Sequence, residues 1–234
     1  RARQQVSFVS RVSHELKTPL TNMTLYAKLL REELDGRQEA GRRYADVISN
    51  EGQRLSRLIQ NILTFTHSTK IHVQPVDLGD LITRIVRAFT PSFQAKGMFI
   101  EMHLAEKVVI MSDVDRLTQI IGNFLSNAEK YAASGKKVDL SMKVSPEYVD
   151  IQVRDYGRGI PEKEIKMVFQ PFYRVRSSVT EGVSGTGIGL TIAGQLAETL
   201  GGEIRVSHPD PGICFTLRLR RDTDEPVLKA EQQV

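Results

Sequence analysis

Four short stretches of this 234-residue chain hold residue types whose spacing would support chemistry. The first is Ser13-His14-Glu15-Leu16-Lys17-Thr18-Pro19-Leu20. A neutral imidazole with a pKa near ~6.5 is a usable nucleophile at neutral pH. The carboxylate of Glu15 would take or orient its proton. Successive residues do not face each other on a helix. Thr18, four positions on, does share the face of His14, and its hydroxyl would position a water there. Taken alone, His14 also reads as an ordinary residue flanking an apolar stripe.

The second stretch runs from Asp113-Val-Asp115-Arg116-Leu117 to Gly122-Asn123-Phe-Leu-Ser-Asn127-Ala-Glu129-Lys130-Tyr131. Asn123, Asn127 and Lys130 are spaced by four and three, so they share one helical face. Two carboxamides and an ammonium suit Mg²⁺ and phosphate oxygens, because hard cations want oxygen ligands and Lys neutralises anions. An exposed polar stripe explains the same residues. The third stretch, Asp155-Tyr156-Gly157-Arg158-Gly159-Ile160, follows an expected strand. Its glycines let backbone approach a ligand closely. A carboxylate at a strand end accepts a hydrogen bond from an amino group such as that of adenine. A plain turn accounts for this stretch equally well.

The fourth, Gly185-Thr186-Gly187-Ile188-Gly189-Leu190, opens a helix, where backbone amides attract phosphate. Its G-x-G-x-G spacing is neither the dinucleotide nor the Walker pattern. It follows a loop, not a strand, which argues against a Rossmann domain. The preceding stretch, Arg174 to Ser184, would serve as a lid.

These residues need elements to hold them. Val6, Val9, Val12, Leu16, Leu20, Met23, Ala27, Leu30 and Leu34 recur at spacings of three and four, predicting a helix about 43 Å long. Pro19 should bend it just past His14, because its ring crowds the carbonyl of Glu15. Asp35-Gly36 stops it. Tyr44, Val47, Ile48, Leu55, Leu58, Ile59, Ile62 and Leu63 predict a second, antiparallel helix. Two helices cannot bury both stripes between themselves, and each large side chain left out forgoes roughly 1.5–3 kcal/mol. A homodimer through residues 1–70, forming a four-helix bundle, is therefore expected; packing onto the rest of the same chain is the alternative.

Residues 67–78, polar and bearing Pro75, read as a linker and hinge. Beyond them the pattern predicts helices over 78–95, 113–132 and 188–200, with a short one near 162–168. Strands are predicted at 98–104, 108–111, 136–144, 147–155, 202–207 and 213–219. Together they make an α/β sandwich, one mixed sheet covered by helices. The domains expected are 1–70 and 71–221, with a mobile tail over 222–234.

Composition narrows the class. The chain is 40% hydrophobic and 26% charged, which excludes wholesale disorder. No apolar run approaches the roughly 18 residues of a membrane span. A single cysteine, Cys214, permits no intrachain disulfide and fits a reducing compartment. It lies in an alternating run and reads as sheet packing. Histidines 14, 67, 72, 103 and 208 are scattered, so zinc spacing is absent. The net charge of +4 is concentrated in residues 1–70 but spread along them, as on a solvated helical face and not a nucleic-acid patch. Arg1 in place of an initiating Met leads us to expect a fragment of a longer chain.

In this order the four stretches resemble the catalytic region of a sensor histidine kinase of a two-component system, over roughly residues 5–220. His14 to Leu20 is similar to the phosphoacceptor box, Asn123 to Tyr131 to the asparagine box, and Asp155 to Ile160 and Gly185 to Leu190 to the two glycine boxes. Phe169-Gln-Pro-Phe172-Tyr173-Arg174 resembles the phenylalanine box. The resemblance implies a Bergerat-type ATP site shared with the GHKL ATPases. It implies that Asn127 coordinates Mg²⁺ with Asn123 near the phosphates, that Lys130 contacts phosphate, and that Tyr131 packs near the nucleotide. Asp155 would receive the adenine amino group, with Gly157 and Gly159 admitting the base. Gly185, Gly187 and Gly189 would shape the lid, Phe169 and Phe172 would pack beneath it, and Arg174 would reach the γ-phosphate. Tyr156 stands where the family commonly has Asn.

The activity implied is ATP-dependent autophosphorylation of His14, then transfer to an aspartate of a response-regulator receiver domain. Glu15 would assist His14. Thr18 would support dephosphorylation of the regulator by orienting a water. The setting implied is cytoplasmic, as part of a membrane-bound sensor. The rivals are a non-catalytic dimeric signalling scaffold and a clamp ATPase of the GHKL type.

Overall fold

The computed structural model describes residues 20–30, 41, 43–45, 47–49, 51–52, 55, 71–104, 107–175 and 187–221. The chain divides into two compact units. One gathers Arg1–Thr69 with Gln170–Tyr173 and Ser184–Gly189; the other takes Lys70–Phe169, Arg174–Val183 and Leu190–Val234.

In the first unit, residues 20–30 are helical, and so are the described residues between 41 and 55. The rings of Tyr26 and Tyr44 meet at 5.8 Å. A Cβ on Gly41 would lie 3.4 Å from Leu30, and one on Gly52 3.9 Å from Met23. Positions rising along one stretch meet positions falling along the other, so the two run antiparallel, as the periodicity predicts. Leu20, on the apolar stripe, stays half exposed.

In the second unit the chain forms β1 (Gln74–Asp77), α1 (Leu78–Ala95), β2 (Phe99–His103), β3 (Val109–Ser112), α2 (Val114–Tyr131), β4 (Lys137–Val144) and β5 (Tyr148–Asp155). Then come α3 (Gly189–Thr199), β6 (Glu203–Ser207) and β7 (Ile213–Arg220). Five strands make one sheet in the order β2-β4-β5-β7-β6, with β2 parallel to β4 and every other pair antiparallel. Along β4 and β5 buried and half-exposed residues alternate. This is the signature of a sheet with one face in the core and one facing water. The core face presents Val138, Leu140, Ile151 and Val153. Against it lie Leu117, Ile120, Ile121, Phe124 and Leu125 of α2, all fully buried. Phe124 stacks on Phe215 of β7 with centroids 5.3 Å apart. Each such side chain contributes roughly 1.5–3 kcal/mol by leaving water. α1 packs on α2 and β2 with its own apolar stripe, including Leu81, Ile82 and Phe93.

Three expectations are corrected. The linker and hinge read over 67–78 does not hold from His72 onward, because Gln74–Asp77 is a strand paired antiparallel with β3, Pro75 opposite Met111. Its partner lies some 35 residues away in the chain, so no local pattern shows it, and Pro75 suppresses the strand signal. β1 and β3 form a separate two-stranded sheet, so the strand at 108–111 does not join the main one. The helix read near 162–168 is also only one 3-10 turn, Glu162–Glu164, followed by turns. The tail expected to be mobile lies outside the described residues.

Asp113 fastens this region. It caps α2, its carboxylate accepting the N–H groups of Asp115 and Arg116 at 3.0 Å each. It also accepts the N–H of His72 at 2.9 Å, and the Arg116 guanidinium lies 3.5 Å away. Burial alone would raise its pKa; the N–H groups of His72 and Arg116, together with the Arg116 charge, hold it below the usual carboxylate value. Arg116 reaches on to Thr199 at the end of α3, which ties the two helices together.

Candidate nucleotide site

The asparagine face of α2 arises from the same periodicity that buries its opposite side. Asn123, Asn127, Lys130 and Tyr131 are half buried, flanking the apolar stripe. The amide nitrogen of Asn123 is buried and has no hydrogen-bond partner among the described residues. A buried donor left unpaired costs about 1–3 kcal/mol, so this one calls for an acceptor. A phosphate oxygen is such an acceptor, and the Asn127 carboxamide beside it on the helix offers an oxygen of the kind Mg²⁺ prefers. The donor set therefore fits a nucleotide triphosphate with its metal ion. Glu129, on the same helix, is engaged otherwise: Lys96 lies 2.9 Å from its carboxylate.

Asp155 ends β5 between β4 and β7, opposite Val138 and Ile213. It is 8% exposed. One carboxylate oxygen accepts the N–H of Gly157 at 2.9 Å. Burial pushes its pKa up, and the N–H groups of Gly157 and Ile213 pull it back only partly. A buried carboxylate served, among the described residues, by backbone alone and by no cation is suited to a neutral donor such as an exocyclic amine.

The turn after Asp155 is pressed against the end of α2. A Cβ on Gly157 would come within 2.9 Å of Ala132 Cα, and one on Gly135 within 2.3 Å of the Tyr156 carbonyl oxygen. On the other side, a Cβ on Gly212 would fall 1.9 Å from the Asp155 carbonyl oxygen. Gly159, at φ +68°, is backed by Gly212 at 2.9 Å. These glycines let main chain touch main chain, and the close approach sets Asp155 beside the helix end that carries Lys130 and Tyr131. Gly135 and Gly212 were not singled out from the sequence. Their demand is tertiary, and a lone Gly in a turn carries no other signal.

In the first unit, Phe172 N–H donates to the Gly187 carbonyl at 2.8 Å. Gly187 has φ +66°, and a Cβ there would lie 2.9 Å from Phe172 Cα. In the second unit, the Thr191 hydroxyl donates to the Phe169 carbonyl at 2.9 Å. Gly189 begins α3, and Arg174 is exposed. His14, Glu15, Thr18 and Gly185 lie outside the described residues. One further trio, Glu101, His103 and Asp139, groups possible metal ligands within 4.8 Å. The Lys137 ammonium, 2.6 Å from Glu101 and 3.1 Å from Asp139, already neutralises it, and we assign it no metal.

Two family models match the chain. Residues 4–70 match the His Kinase A (phospho-acceptor) domain, and residues 112–223 match the histidine kinase-, DNA gyrase B-, and HSP90-like ATPase. The sensor histidine kinase WalK of Bacillus subtilis is 31% identical over 227 residues, covering 93% of this chain and 37% of that protein. The sensor protein kinase WalK of Staphylococcus aureus is 32% identical over 209 residues, covering 86% and 50%. The chain thus spans a third to a half of the length of these curated relatives. Among solved structures, histidine kinase ThkA in complex with response regulator protein TrrA superposes with a TM-score of 0.75 at 21% identity, covering 95% of this chain and 64% of that one. Full-length ShkA in complex with AMPPNP superposes with a TM-score of 0.70 at 25% identity, covering 96% and 47%.

The raised pKa of Asp155 has a consequence for stability. A carboxyl whose folded pKa exceeds its unfolded value stabilises the fold when protonated, and that contribution is lost as pH rises through the folded pKa. Relative to Asp155→Asn, the unliganded wild type should lose stability as pH rises from about 4 toward neutrality. Urea midpoints measured across pH read this difference, and a flat difference would contradict the buried, cation-free setting of Asp155.

Proposed function

The chain belongs to the sensor histidine kinases of two-component systems, and from that membership we propose that it is an ATP-dependent protein histidine kinase. It phosphorylates its own His14 and passes the phosphoryl group to an aspartate on the receiver domain of a response regulator. The observation that carries this reading is the pairing in one chain of two matched domains. The phospho-acceptor match contains His14, and the ATPase match contains Asn127 and Asp155. Its domains are 1–70 for dimerisation and phosphotransfer and 71–221 for ATP binding. That the solved ThkA structure holds a response regulator supports the partner class.

In this reading the ionised Asp155 accepts the adenine amino group and sets the base, with Gly157 and Gly159 giving main chain close access. The Asn123 amide and the Lys130 ammonium hold phosphate oxygens, and Tyr131 packs along the nucleotide. Gly185, Gly187 and Gly189 shape the lid backbone, Phe172 packs below it, and Arg174 meets the γ-phosphate. Asn127 is the residue that would hold Mg²⁺, which supplies neutralisation of phosphate charge. A ring nitrogen of His14 attacks the γ-phosphorus. The new N–P bond forms as the P–O bond to the departing ADP breaks, and Glu15 receives the imidazole proton. Such transfer is chiefly positioning and charge neutralisation, so the cradle need only present the γ-phosphate in line. We further place the protein in the cytoplasm, where ATP and receiver domains are met, as the catalytic part of a membrane-bound sensor. Among the described residues no helix is long and apolar enough to cross a membrane.

Two companion proposals follow. Leu20, half exposed on its stripe in a single copy, supports a homodimer through residues 1–70. Thr18, four residues after His14, supports a phosphatase activity toward the regulator by placing a water.

Incubated with γ-labelled ATP, the wild type should acquire an alkali-stable, acid-labile label that His14→Gln abolishes; label persisting in the variant rejects the nucleophile. Thr18→Ala should keep autophosphorylation within about twofold and slow regulator dephosphorylation by about 10-fold or more. Equal loss of both activities would make Thr18 structural. Sedimentation equilibrium of the chain should return twice the 26.3 kDa monomer mass, and a clean monomer at micromolar concentration would count against the bundle.

A further inference from the structure

Tyr156 follows the carboxylate that receives the base, yet strand alternation turns its side chain to the other face of the sheet. There its hydroxyl donates to Asp139 of β4. Its ring lies under the Arg154 guanidinium, 4.4 Å from centroid to carbon, and 5.5 Å from the Lys137 ammonium. Arg154 Nε is buried with no hydrogen-bond partner among the described residues, and the guanidinium lies over the ring. Asp139 is held in turn by Lys137 at 3.1 Å, and Lys137 by Glu101 of β2 at 2.6 Å. The anchor thus spans three strands of the sheet. The main chain of Tyr156 meanwhile touches the helix-end turn at Gly135 and the β6–β7 turn at Gly212.

We propose that Tyr156 is a positioning residue for the nucleotide: its hydroxyl and ring, gripped by Asp139 and Arg154 on the solvent face, fix the turn through which Asp155 meets the base. The inference rests on the nucleotide-site reading above and adds a determinant of base recognition that touches no ligand. The turn has no regular ladder of its own past Asp155. Its position is set by close packing on one side and by this side chain on the other. Loosening the side chain lets Asp155 shift in a site where one hydrogen bond selects the base. Charge at the γ-phosphate, some distance along the nucleotide, is left alone. The hydroxyl also keeps its proton more firmly than a free tyrosine, because it donates that proton in a hydrogen bond to the Asp139 carboxylate.

The test is titration calorimetry of the full chain with ATP and with GTP, for wild type, Tyr156→Phe, Asp139→Asn and the double variant. Turnover and the thermal midpoint are followed alongside. Removing one hydrogen bond to a charged partner predicts that Tyr156→Phe weakens ATP binding about fivefold or more. GTP binding, which gains nothing from Asp155, stays within twofold, and kcat at saturating ATP is kept. The double variant should be no weaker than the worse single variant. A purely structural tyrosine would lower the thermal midpoint and shift both nucleotides alike. That outcome, unchanged ATP affinity in Tyr156→Phe, or additive losses, would overturn the proposal. If the wild type binds ATP but forms no phosphohistidine, a fivefold loss in Tyr156→Phe still supports the anchor while rejecting the kinase reading. If the wild type binds no ATP, the site reading and the anchor fall together.

Discussion

A carboxylate held out of water, with no cation beside it among the described residues, is the constraint on which the nucleotide-binding unit is built. Asp155 sits at the end of a central strand, 8% exposed, with backbone N–H groups for company. Such a group is tolerated only where its surroundings are rigid, because an unpaired charge in a soft site would draw in water or a proton. The rigidity comes from main chain laid against main chain. Gly157 lies on Ala132, Gly135 on Tyr156 and Gly212 on Asp155, three approaches that no side chain would permit. The apolar contacts of α2 with the sheet, Phe124 on Phe215 foremost, hold the two sides of that clamp in register.

The same helix serves two ends. One side of α2 is buried and, from Leu117 onward, apolar; the flank beside it carries Asn123, Asn127 and Lys130. A polar row so close to a core is costly unless something polar meets it, and the Asn123 amide nitrogen has no partner among the described residues. The helix begins on Asp113, whose carboxylate gathers three N–H groups and an arginine. That cap also draws in the backbone at His72 and so joins the small β1–β3 sheet to the start of α2. The elements that position the candidate site are therefore fastened at both ends of one helix.

Much of this was legible in the amino-acid sequence because its cause is local. The helix read over 113–132 and the strands read at 136–144 and 147–155 stand as α2, β4 and β5, because their apolar spacing is set within each segment. The asparagine row and Asp155 were legible from residue type and position together. What escaped has a cause elsewhere in the chain. The strand at Gln74–Asp77 exists because Val109–Ser112 comes to it, and Pro75 conceals it. β3 leaves the main sheet for the same reason. Gly135 and Gly212 look like any turn glycines until the backbone they must touch is in place. Tyr156 looked like a departure from its family's pattern; only the register of β4 on β5 shows Asp139 waiting for its hydroxyl.

The account stands on Asp155 and the asparagine row of α2 forming one cradle for a nucleoside triphosphate. A crystal structure of the chain with a non-hydrolysable ATP analogue and Mg²⁺ tests this most directly. The account predicts the adenine amino group on the Asp155 carboxylate, with phosphate oxygens beside Asn123 and Lys130 and the metal ion on Asn127. A nucleotide bound elsewhere, or bound with its base turned away from Asp155, would contradict it.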